Sequence, residues 1–517
     1  MKRNFLFFFI LSLTLVSPTV FSGMTNPVAE DNNSLQQSYV EKGDKLMKDF
    51  NFDQATEFYK KAADRDTNDV DAWEKLGNAY LLMDDYKSAE PVYKFLSIHP
   101  LAQAADKFYY GQVLRALGRY DEAHQAYSKF TEAAPNDSRA GEFKDFFLKL
   151  KPFLLDNKLF ELTPFEVNTD ASEIGTAFYN DKIIFSSNRT TGSPIKHSDI
   201  NSQNPYYDIY ELRANDTSKS NIPKRIKGDI NRQFNEGPAT FSADGREMIF
   251  SRTHYVSKGT DRISKLGLYH ADYNEKQGWT NVQPLPFNSY TYNVTHPTLS
   301  KDGTRLYFIS DMPGSFGETD IYFSEKKDST WSNAVNLGNA INTPGREMFP
   351  FIEDNLKLYF SSDSRVGLGG LDIYSVFRSN ENWIYLTNLG APVNTTSDDY
   401  GYVSDVSGKK GFIVSNRSGG KGSDDIYKFL RNDQKLFNLP VVNFDSSSFV
   451  LREDAKVMLD SVAGIMKANP ALVIELSGHT DSRGTKEFNI YLGQERATAC
   501  EEYLGANGIE KARIITS

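Results

Sequence analysis

An aspartate and an arginine near the end of the chain are the residues whose types and spacing best suggest a binding site. The stretch GHTDSRGTKEFNIYLGQERATA places Asp481 in a turn and Arg496 fifteen residues later, on a predicted helix. A carboxylate accepts hydrogen bonds and a guanidinium donates two parallel ones, so the pair suits a ligand that carries both charges. The alternative is that Asp481 caps its own loop and Arg496 is a solvated charge on the helix.

The elements around this pair alternate between strands and helices. The stretch VVNFD (441–445) predicts a strand, REDAKVMLDSVAGIMKANP an amphipathic helix, LVIELSG a second strand and EFNIYLGQERATACEEYLGANG a second helix, after which ARIITS begins a third strand. Asp481 therefore follows the C-terminal end of a strand, where ligands tend to bind in α/β sheets. Arg496 lies two helical turns after Asn489, on the same helix face.

These motifs resemble the C-terminal peptidoglycan-binding domain shared by OmpA, Pal and MotB proteins. That family has Gly-His-Thr-Asp, then Asn, Leu-Ser and Arg-Ala. This chain has GHTD at 478–481, Asn489, Leu492-Gly493 and Arg496-Ala497, with glycine where serine is usual. In the family the Asp and the Arg clamp the diaminopimelate residue of the peptidoglycan stem peptide. The resemblance implies that Asp481 and Arg496 do so here, and the ammonium and carboxylate of diaminopimelate match an acceptor and a fork-shaped donor.

Other residues near the motif are expected to support the site. Asn489 is expected to donate to backbone or ligand, Thr480 to order the turn, and Asp445 to add an acceptor at the rim, whereas His479 packs the turn. The family domain continues through another helix and a final strand beyond the last residue of this sequence. The expectation is therefore an α/β OmpA-like domain over 436–517 that is incomplete at its C-terminus.

Residues 36–152 carry a repeat of 34 residues. Small residues recur at this period: Gly43, Gly77, Gly111, and, each twelve residues later, Ala55, Ala89 and Ala123. Two helices can cross closely only where side chains are small, and aromatic residues fill the space between helix pairs. The period and pattern resemble tetratricopeptide (TPR) repeats, an α-helical solenoid. Pro100 and Pro135 are expected to end their repeats, and a further helix over about 138–150 to cap the stack.

From about residue 160 the hydrophobic period changes to two, and a second repeat appears. Each unit has an apolar strand, a Ser-rich turn and then a triplet: Asp208-Ile209-Tyr210, Gly267-Leu268-Tyr269, Asp320-Ile321-Tyr322, Asp372-Ile373-Tyr374 and Asp425-Ile426-Tyr427. Five units of four short strands predict a five-bladed β-propeller over 158–430, which resembles the WD40-like PD40 repeats of TolB-type propellers. The triplet aspartates are expected to lock neighbouring strands rather than to bind metal or catalyse.

Export of the protein is also predicted. Lys2 and Arg3, the apolar run from Phe5 to Val16 and the small-residue site after Val20 predict a signal peptide over 1–22, followed by a linker over 23–35. Since no cysteine stands directly after the apolar run, a lipid anchor there is not expected. The one cysteine, Cys500, is expected to be a packed residue. The net charge of −10 disfavours nucleic acid as a partner.

The chain has no sequence motif of an enzyme or cofactor site that we recognise. HExxH, Gly-x-Ser-x-Gly, Walker A and dinucleotide patterns are all missing, and GLGGLD (367–372) is expected to be a turn within a blade. No catalytic residue, metal or cofactor is therefore expected.

The order of three modules resembles that of envelope proteins of the type IX secretion and gliding system. It implies a non-catalytic scaffold of the periplasm and outer membrane that ties a secretion complex to peptidoglycan, with the repeats and the propeller binding proteins. The alternative is a periplasmic binding or sensing propeller, or a glycan-processing enzyme, tethered to the cell wall.

Overall fold

The computed structural model describes residues 27–48, 51–156, 159–190, 205–214, 218, 221–232, 234–258, 261–328, 330–379, 382–432, 442–468, 472–478, 480 and 483–516. The predicted signal peptide (1–22) lies outside these residues. Within the described ranges, none of the helices has the length and apolar character needed to cross a bilayer.

Six helices form the repeat region. They are α1 (Pro27–Lys48), α2 (Phe52–Arg65), α3 (Val70–Leu82), α4 (Tyr86–Ile98), α5 (Ala104–Ala116) and α6 (Tyr120–Ala133). Helix α1 begins inside the stretch expected to be a linker. Helices α4 and α6 end two residues before Pro100 and Pro135, as predicted. The prediction of an α-helical TPR solenoid is confirmed.

The repeating glycines make room for tyrosines of the paired helix. A Cβ atom on Gly77 would lie 2.9 Å from the ring of Tyr93, and one on Gly111 would lie 2.5 Å from the ring of Tyr127. Gly43 meets Tyr59 in the same way. Glycine is therefore required at these crossings because the ring of the partner helix occupies the space of a side chain.

The predicted capping helix is broken. Two short helices, α7 (Ala140–Phe143) and α8 (Phe146–Leu150), replace a single helix over 138–150. Both Phe143 and Phe146 are buried in the cluster around Tyr127. The break lets both rings pack there, their planes 10° from parallel.

The propeller has five sheets arranged as blades. The first blade contains β2 (Glu173–Tyr179), β3 (Lys182–Ser187), β4 (Asp208–Arg213) and β5 (Lys224–Arg225), and the second contains β6 (Glu236–Phe241), β7 (Glu247–Lys258), β8 (Asp261–Asn274) and β9 (Gly278–Pro284). The third blade contains β10 (Val294–Leu299), β11 (Arg305–Ser310), β12 (Asp320–Lys327), β13 (Thr330–Trp331) and β14 (Val335–Asn336). The fourth contains β15 (Glu347–Glu353), β16 (Lys357–Ser362), β17 (Asp372–Ser379) and β18 (Asn382–Asn388). The five-bladed prediction is confirmed.

The last blade contains strands from both ends of the propeller. β19 (Asp399–Ser404), β20 (Lys410–Ser415) and β21 (Asp425–Arg431) are completed by β1 (Phe160–Pro164), which pairs antiparallel with β21. Phe160 lies opposite Arg431 and Pro164 opposite Tyr427. This closing strand holds the ring together, because it pairs an early segment with the end of the propeller.

Asp320 and Asp372, two of the triplet aspartates, link neighbouring strands, as predicted, and also stabilise the turn before their own strand. Asp320 accepts hydrogen bonds from the backbone nitrogens of Phe316 and Gly317 and from the Asn336 amide. Asp372 accepts in the same way from Leu368, Gly369 and Asn388. Each aspartate thus ties the turn before its strand to the strand that follows.

A carboxylate–arginine pair in several blades is a feature that the sequence reasoning missed. Glu173 pairs with Arg189, Glu236 with Arg252 and Asp399 with Arg417, at 2.6–2.9 Å, and all three carboxylates are fully buried. The signal was available, because an acidic residue opens the first strand of each of these blades and an arginine comes 16 or 18 residues after it.

The repeats dock onto the propeller through a buried arginine. The Arg115 guanidinium donates to the carbonyl oxygens of Arg365 (2.6 Å), Asp363 (2.8 Å) and Gly370 (3.2 Å), which lie in the loop between β16 and β17. The Gln112 amide also donates to Asp363, and Arg115 is only 1% exposed. GLGGLD is therefore a turn, as predicted, and it also belongs to the surface that the repeats contact.

Two buried carboxylates meet at the same interface. Asp84 in the repeats and Asp398 in the propeller share the Tyr86 hydroxyl, which lies 3.3 Å from an oxygen of each. Burial, and then the neighbouring Asp398 carboxylate, raises the pKa of Asp84 well above its usual value. Asp84 therefore retains its proton in the folded protein under conditions where the unfolded chain loses it.

Replacing Asp84 with asparagine is expected to stabilise the protein at pH 8 but not at pH 4. The unfolded chain releases the Asp84 proton near pH 4, whereas the raised pKa keeps it bound in the folded state, so stability falls as the pH rises above about 4. Asparagine has no proton to lose and tolerates the φ of 51° at this position. We expect a gain of about 1–3 kcal/mol at pH 8.

Thermal unfolding of both proteins between pH 4 and pH 8 checks this prediction. Asp121→Asn, at an exposed position on α6, is the matched control and is expected to leave the pH profile unchanged. A gain for Asp84→Asn that is the same at every pH contradicts the assignment of a buried proton.

Candidate functional site

The C-terminal region has two helices and a short parallel sheet. Helix α9 (Glu453–Ala468) precedes β22 (Ile474–Leu476), and helix α10 (Lys486–Ala506) precedes β23 (Ile514–Thr516). β22 and β23 are parallel, with Ile474 opposite Ile514. Both predicted helices and the second and third predicted strands are present.

Helix α10 turns one face towards the body of this region. Buried residues recur along it every three or four positions, at Gly493, Ala497, Cys500 and Leu504. Cys500 packs among apolar side chains, as expected, and burial raises the pKa of its thiol to about 11. The same periodicity places Asn489 and Arg496 along one line of the helix surface.

Two glycines bring the turn after β22 against helix α10. A Cβ atom on Gly478 would lie 1.8 Å from the carbonyl oxygen of Gly493, and one on Gly493 would lie 2.6 Å from that of Gly478. The departure of Gly493 from the usual serine thus has a physical reason here, because the two backbones touch. The contact places the beginning of the GHTD stretch within one turn of Arg496 along the helix.

The Arg496 side chain is held by the segment before α9. Its Nε donates to the carbonyl oxygen of Ser448 at 2.9 Å, and its Nη2 donates to that of Asp445 at 3.0 Å. The guanidinium carbon lies 5.2 Å from the centre of the Phe444 ring. These contacts orient the guanidinium, so Arg496 is not the solvated helix charge of the alternative interpretation.

The predicted first strand is wrong for the residues that the structure describes. Residues 442–445 belong to no strand, although Val442 and Phe444 pack against the apolar core. The main chain of Asp445 instead accepts from Arg496 and, in a turn, from the backbone nitrogen of Ser448 at 3.1 Å. In a strand the carbonyl oxygen of Asp445 would accept a hydrogen bond from a neighbouring strand. Here it accepts from Ser448 and Arg496 instead.

Asp445 contacts Arg496 through its main chain and not through its carboxylate. Its carboxylate pairs with Arg452, which lies 3.3 Å away and also contacts Asp454, and all three side chains are well exposed. The part of Asp445 that meets the candidate site is its carbonyl oxygen rather than its carboxylate. A role for Asp445 as an acceptor at the rim of the binding site stays a prediction.

Asn489 and Thr480 lie close to the start of α10. The helix begins after Thr485, whose hydroxyl accepts from the backbone nitrogen of Phe488 at 3.2 Å. The Asn489 side chain faces Gly484, where a Cβ atom would lie 3.2 Å from Oδ1. Thr480 is partly buried in the turn. Asp481 and His479 lie outside the described residues, so the pairing of Asp481 with Arg496 stays a prediction.

Comparison with known proteins identifies two of the regions. Residues 443–517 match the OmpA family, and residues 110–137 match a tetratricopeptide repeat. The C-terminal region is an OmpA domain.

Within the described part of the chain, no group of three acidic, histidine or cysteine side chains is placed to hold a metal ion.

Curated relatives that match this chain include peptidoglycan-associated lipoproteins. A peptidoglycan-associated lipoprotein of Pasteurella multocida is 36% identical over 83 residues, which cover 16% of this chain and 54% of the relative. One of Pseudomonas aeruginosa is 33% identical over 107 residues, 21% of this chain and 63% of the relative. The chain therefore spans about half the length of the curated relatives it matches.

Among solved structures, the repeats are similar to those of YrrB, a TPR protein with an unusual peptide-binding site. The two are 22% identical, with a TM-score of 0.21, over 24% of this chain and 63% of that chain.

Proposed function

We propose that this protein is a non-catalytic scaffold of the cell envelope. Its OmpA domain binds the peptidoglycan stem peptide, and its repeats and propeller bind proteins of the periplasm or outer membrane. On this proposal the protein ties an outer-membrane or secretion complex to the cell wall, as the resemblance to type IX envelope proteins implies. The relatives that carry the same domain are named peptidoglycan-associated lipoproteins, which supports the choice of ligand.

The observation that carries the proposal is the oriented guanidinium of Arg496 beside the GHTD turn. Gly478 and Gly493 are in backbone contact, Asp481 follows Gly478 by three residues, and Arg496 follows Gly493 by three. A fixed guanidinium recognises a carboxylate by two parallel hydrogen bonds. A carboxylate in the same turn would complement an ammonium, so the pair suits the distal end of diaminopimelate.

A structural role for the acidic residues near the docked repeats supports a scaffold over an enzyme. Asp398 accepts from the Leu371 nitrogen, Asp424 accepts from the Tyr400 hydroxyl, and Asp363 pairs with Arg346. Each of these carboxylates stabilises the propeller or its contact with the repeats. The glycan-processing alternative would instead need carboxylates that are directed at a substrate.

Competition between two stem peptides tests the proposed function. The intact protein is sedimented with insoluble peptidoglycan in the presence of a free tripeptide that ends either in meso-diaminopimelate or in L-lysine. We expect the diaminopimelate peptide to compete at least about tenfold better, because lysine lacks the carboxylate that Arg496 would bind. Equal competition by the two peptides, or no sedimentation of the protein, overturns the proposal.

A further inference from the structure

A cavity of about 430 Å³ lies between the repeats and the propeller. One wall is formed by helices α1, α3 and α5, and the other by propeller residues that include Glu318, Arg346 and Gly370. Its volume falls in the range of about 300–1,000 Å³ that is typical of small-molecule sites. The cavity is therefore a composite site that neither module forms alone.

The propeller covers the inner face of the repeats at helix α5. There the Gln112 amide and the Arg115 guanidinium donate to carbonyl oxygens of the loop between β16 and β17. The Tyr120 hydroxyl adds a hydrogen bond of 3.0 Å to the carbonyl oxygen of Leu368 in the same loop. A chain that followed the inner face of the repeats would run into this loop. The space that remains beside the loop therefore suits a small molecule.

A carboxylate in the propeller wall is the feature that selects the ligand. Among the residues that the structure describes, none forms a hydrogen bond or an ion pair with the Glu318 side chain, which lines the cavity. The other two acids of the cavity have partners, because Asp44 pairs with Lys75 at 3.0 Å and Asp363 with Arg346 at 2.5 Å. Glu318 is thus the acid that a cation from outside the protein would pair with.

The charges around Glu318 make it responsive to such a cation. Burial raises the pKa of Glu318 to about 7, while Arg346 lowers this pKa, Asp363 raises it and Arg139 lowers it. The nearby Tyr109 hydroxyl stays neutral, because burial raises its pKa. A cation that enters the cavity favours the ionised carboxylate, so it lowers the pKa of Glu318 and releases a proton. Cation binding is therefore expected to tighten as the pH rises from 6 to about 8.

The wall formed by the repeats offers an apolar surface for the rest of the ligand. The side chains of Met47, Leu81 and Leu82 line the cavity on this side. Burying apolar surface contributes about 25 cal/mol per Å². An organic cation with an apolar body therefore gains affinity here that a bare ammonium or metal ion lacks.

We infer that this cavity binds a small organic cation, an amine or a guanidine with an apolar body, whose charged head pairs with Glu318. The apolar body lies against Met47, Leu81 and Leu82. Because both modules line the site, the ligand binds only the docked arrangement and stabilises it. The site is separate from the peptidoglycan site and goes beyond the proposed function.

Isothermal titration calorimetry of the intact protein with phenylbutylammonium tests the inference. Neutral phenylbutanol and anionic phenylbutyrate have the same apolar body and are the matched ligands. We expect the ammonium ion to bind at least about tenfold more tightly than either, because it alone gives Glu318 a partner. At pH 7 its binding is expected to release about half a proton, which titrations in buffers of different ionisation enthalpy measure.

Two variants test the location of the site. Glu318→Gln is expected to weaken binding of the ammonium ion at least about tenfold and to abolish the proton release. Leu81→Trp, which fills the apolar wall, is expected to abolish binding. Glu275→Gln, in the exposed turn between β8 and β9, is the matched control and is expected to bind like the unchanged protein.

Thermal unfolding of each variant verifies that it remains folded. No binding of the ammonium ion, equally tight binding of the alcohol, or unchanged binding by folded Glu318→Gln overturns the inference. Because the readout is the binding of a small amine, such a failure is distinguishable from a failure of peptidoglycan sedimentation.

Discussion

Replacing Arg496 with alanine is expected to weaken the binding of the intact protein to peptidoglycan by about 2–4 kcal/mol, since a buried or ligand-bound charge then loses its partner. That loss corresponds to about 30- to 1,000-fold in the dissociation constant. Replacing Arg496 with lysine is expected to recover less than half of the lost free energy. Lysine keeps the charge but cannot donate two parallel hydrogen bonds in a fixed plane.

The structural contacts of Arg496 must be separated from its binding role. The guanidinium also donates to the carbonyls of Ser448 and Asp445, so its removal loosens the segment before α9. Thermal unfolding of each variant reports that effect, whereas sedimentation with peptidoglycan reports binding. Arg452→Ala is the matched control, because Arg452 pairs with the exposed carboxylates of Asp445 and Asp454 in the same segment. We expect it to retain full binding.

Asp481→Ala completes the test. If Asp481 and Arg496 bind the two charges of one small ligand, the loss from the double variant is expected to be smaller than the sum of the single losses. A folded Arg496→Ala variant that sediments like the unchanged protein contradicts the proposed clamp. Additive single losses indicate two separate contacts rather than one shared ligand.

Local spacing was sufficient to predict the three regions. The period that sets Gly77 against Tyr93 repeats along the chain, so the helix pairs could be predicted without knowledge of any distant contact. The triplet that begins with Asp320 recurs because every blade has the same turn to stabilise. Such features depend on neighbouring residues and therefore leave a regular trace in the sequence.

Long-range contacts left a weaker trace. Strand β1 could not be assigned to the last blade, because the pairing of Phe160 with Arg431 joins residues far apart in the chain. The docking of the repeats had one signal, a charged Arg115 at the position where the other repeats have Met47 and Leu81. In the OmpA domain, periodicity placed Arg496 on α10 but could not show that its guanidinium binds the main chain of the stretch predicted as a strand.

Replacing Arg115 with methionine is expected to separate the repeats from the propeller. Methionine is the residue that the first repeat has at this position, and it fills similar space without donating hydrogen bonds. The carbonyls of Arg365 and Gly370 would then be buried without the donor that they use now. Hydrogen bonds to a charged donor contribute about 1.5–3 kcal/mol each, so we expect a loss of about 3–5 kcal/mol at the interface.

Small-angle scattering and calorimetry measure this separation. The Arg115→Met variant is expected to show a larger radius of gyration than the unchanged protein, and its repeats and propeller to unfold in two resolved transitions. Arg119→Met is the matched control, because Arg119 lies only four residues further along the chain. Arg119 is 36% exposed and pairs with Glu90 and Glu122 at the surface, so its loss is expected to change stability by less than about 1 kcal/mol. If Arg115→Met keeps the compact dimensions and a single transition, Arg115 does not hold the two modules together. The interface must then be held by its apolar contacts and by the hydrogen bonds of Tyr86 and Tyr120.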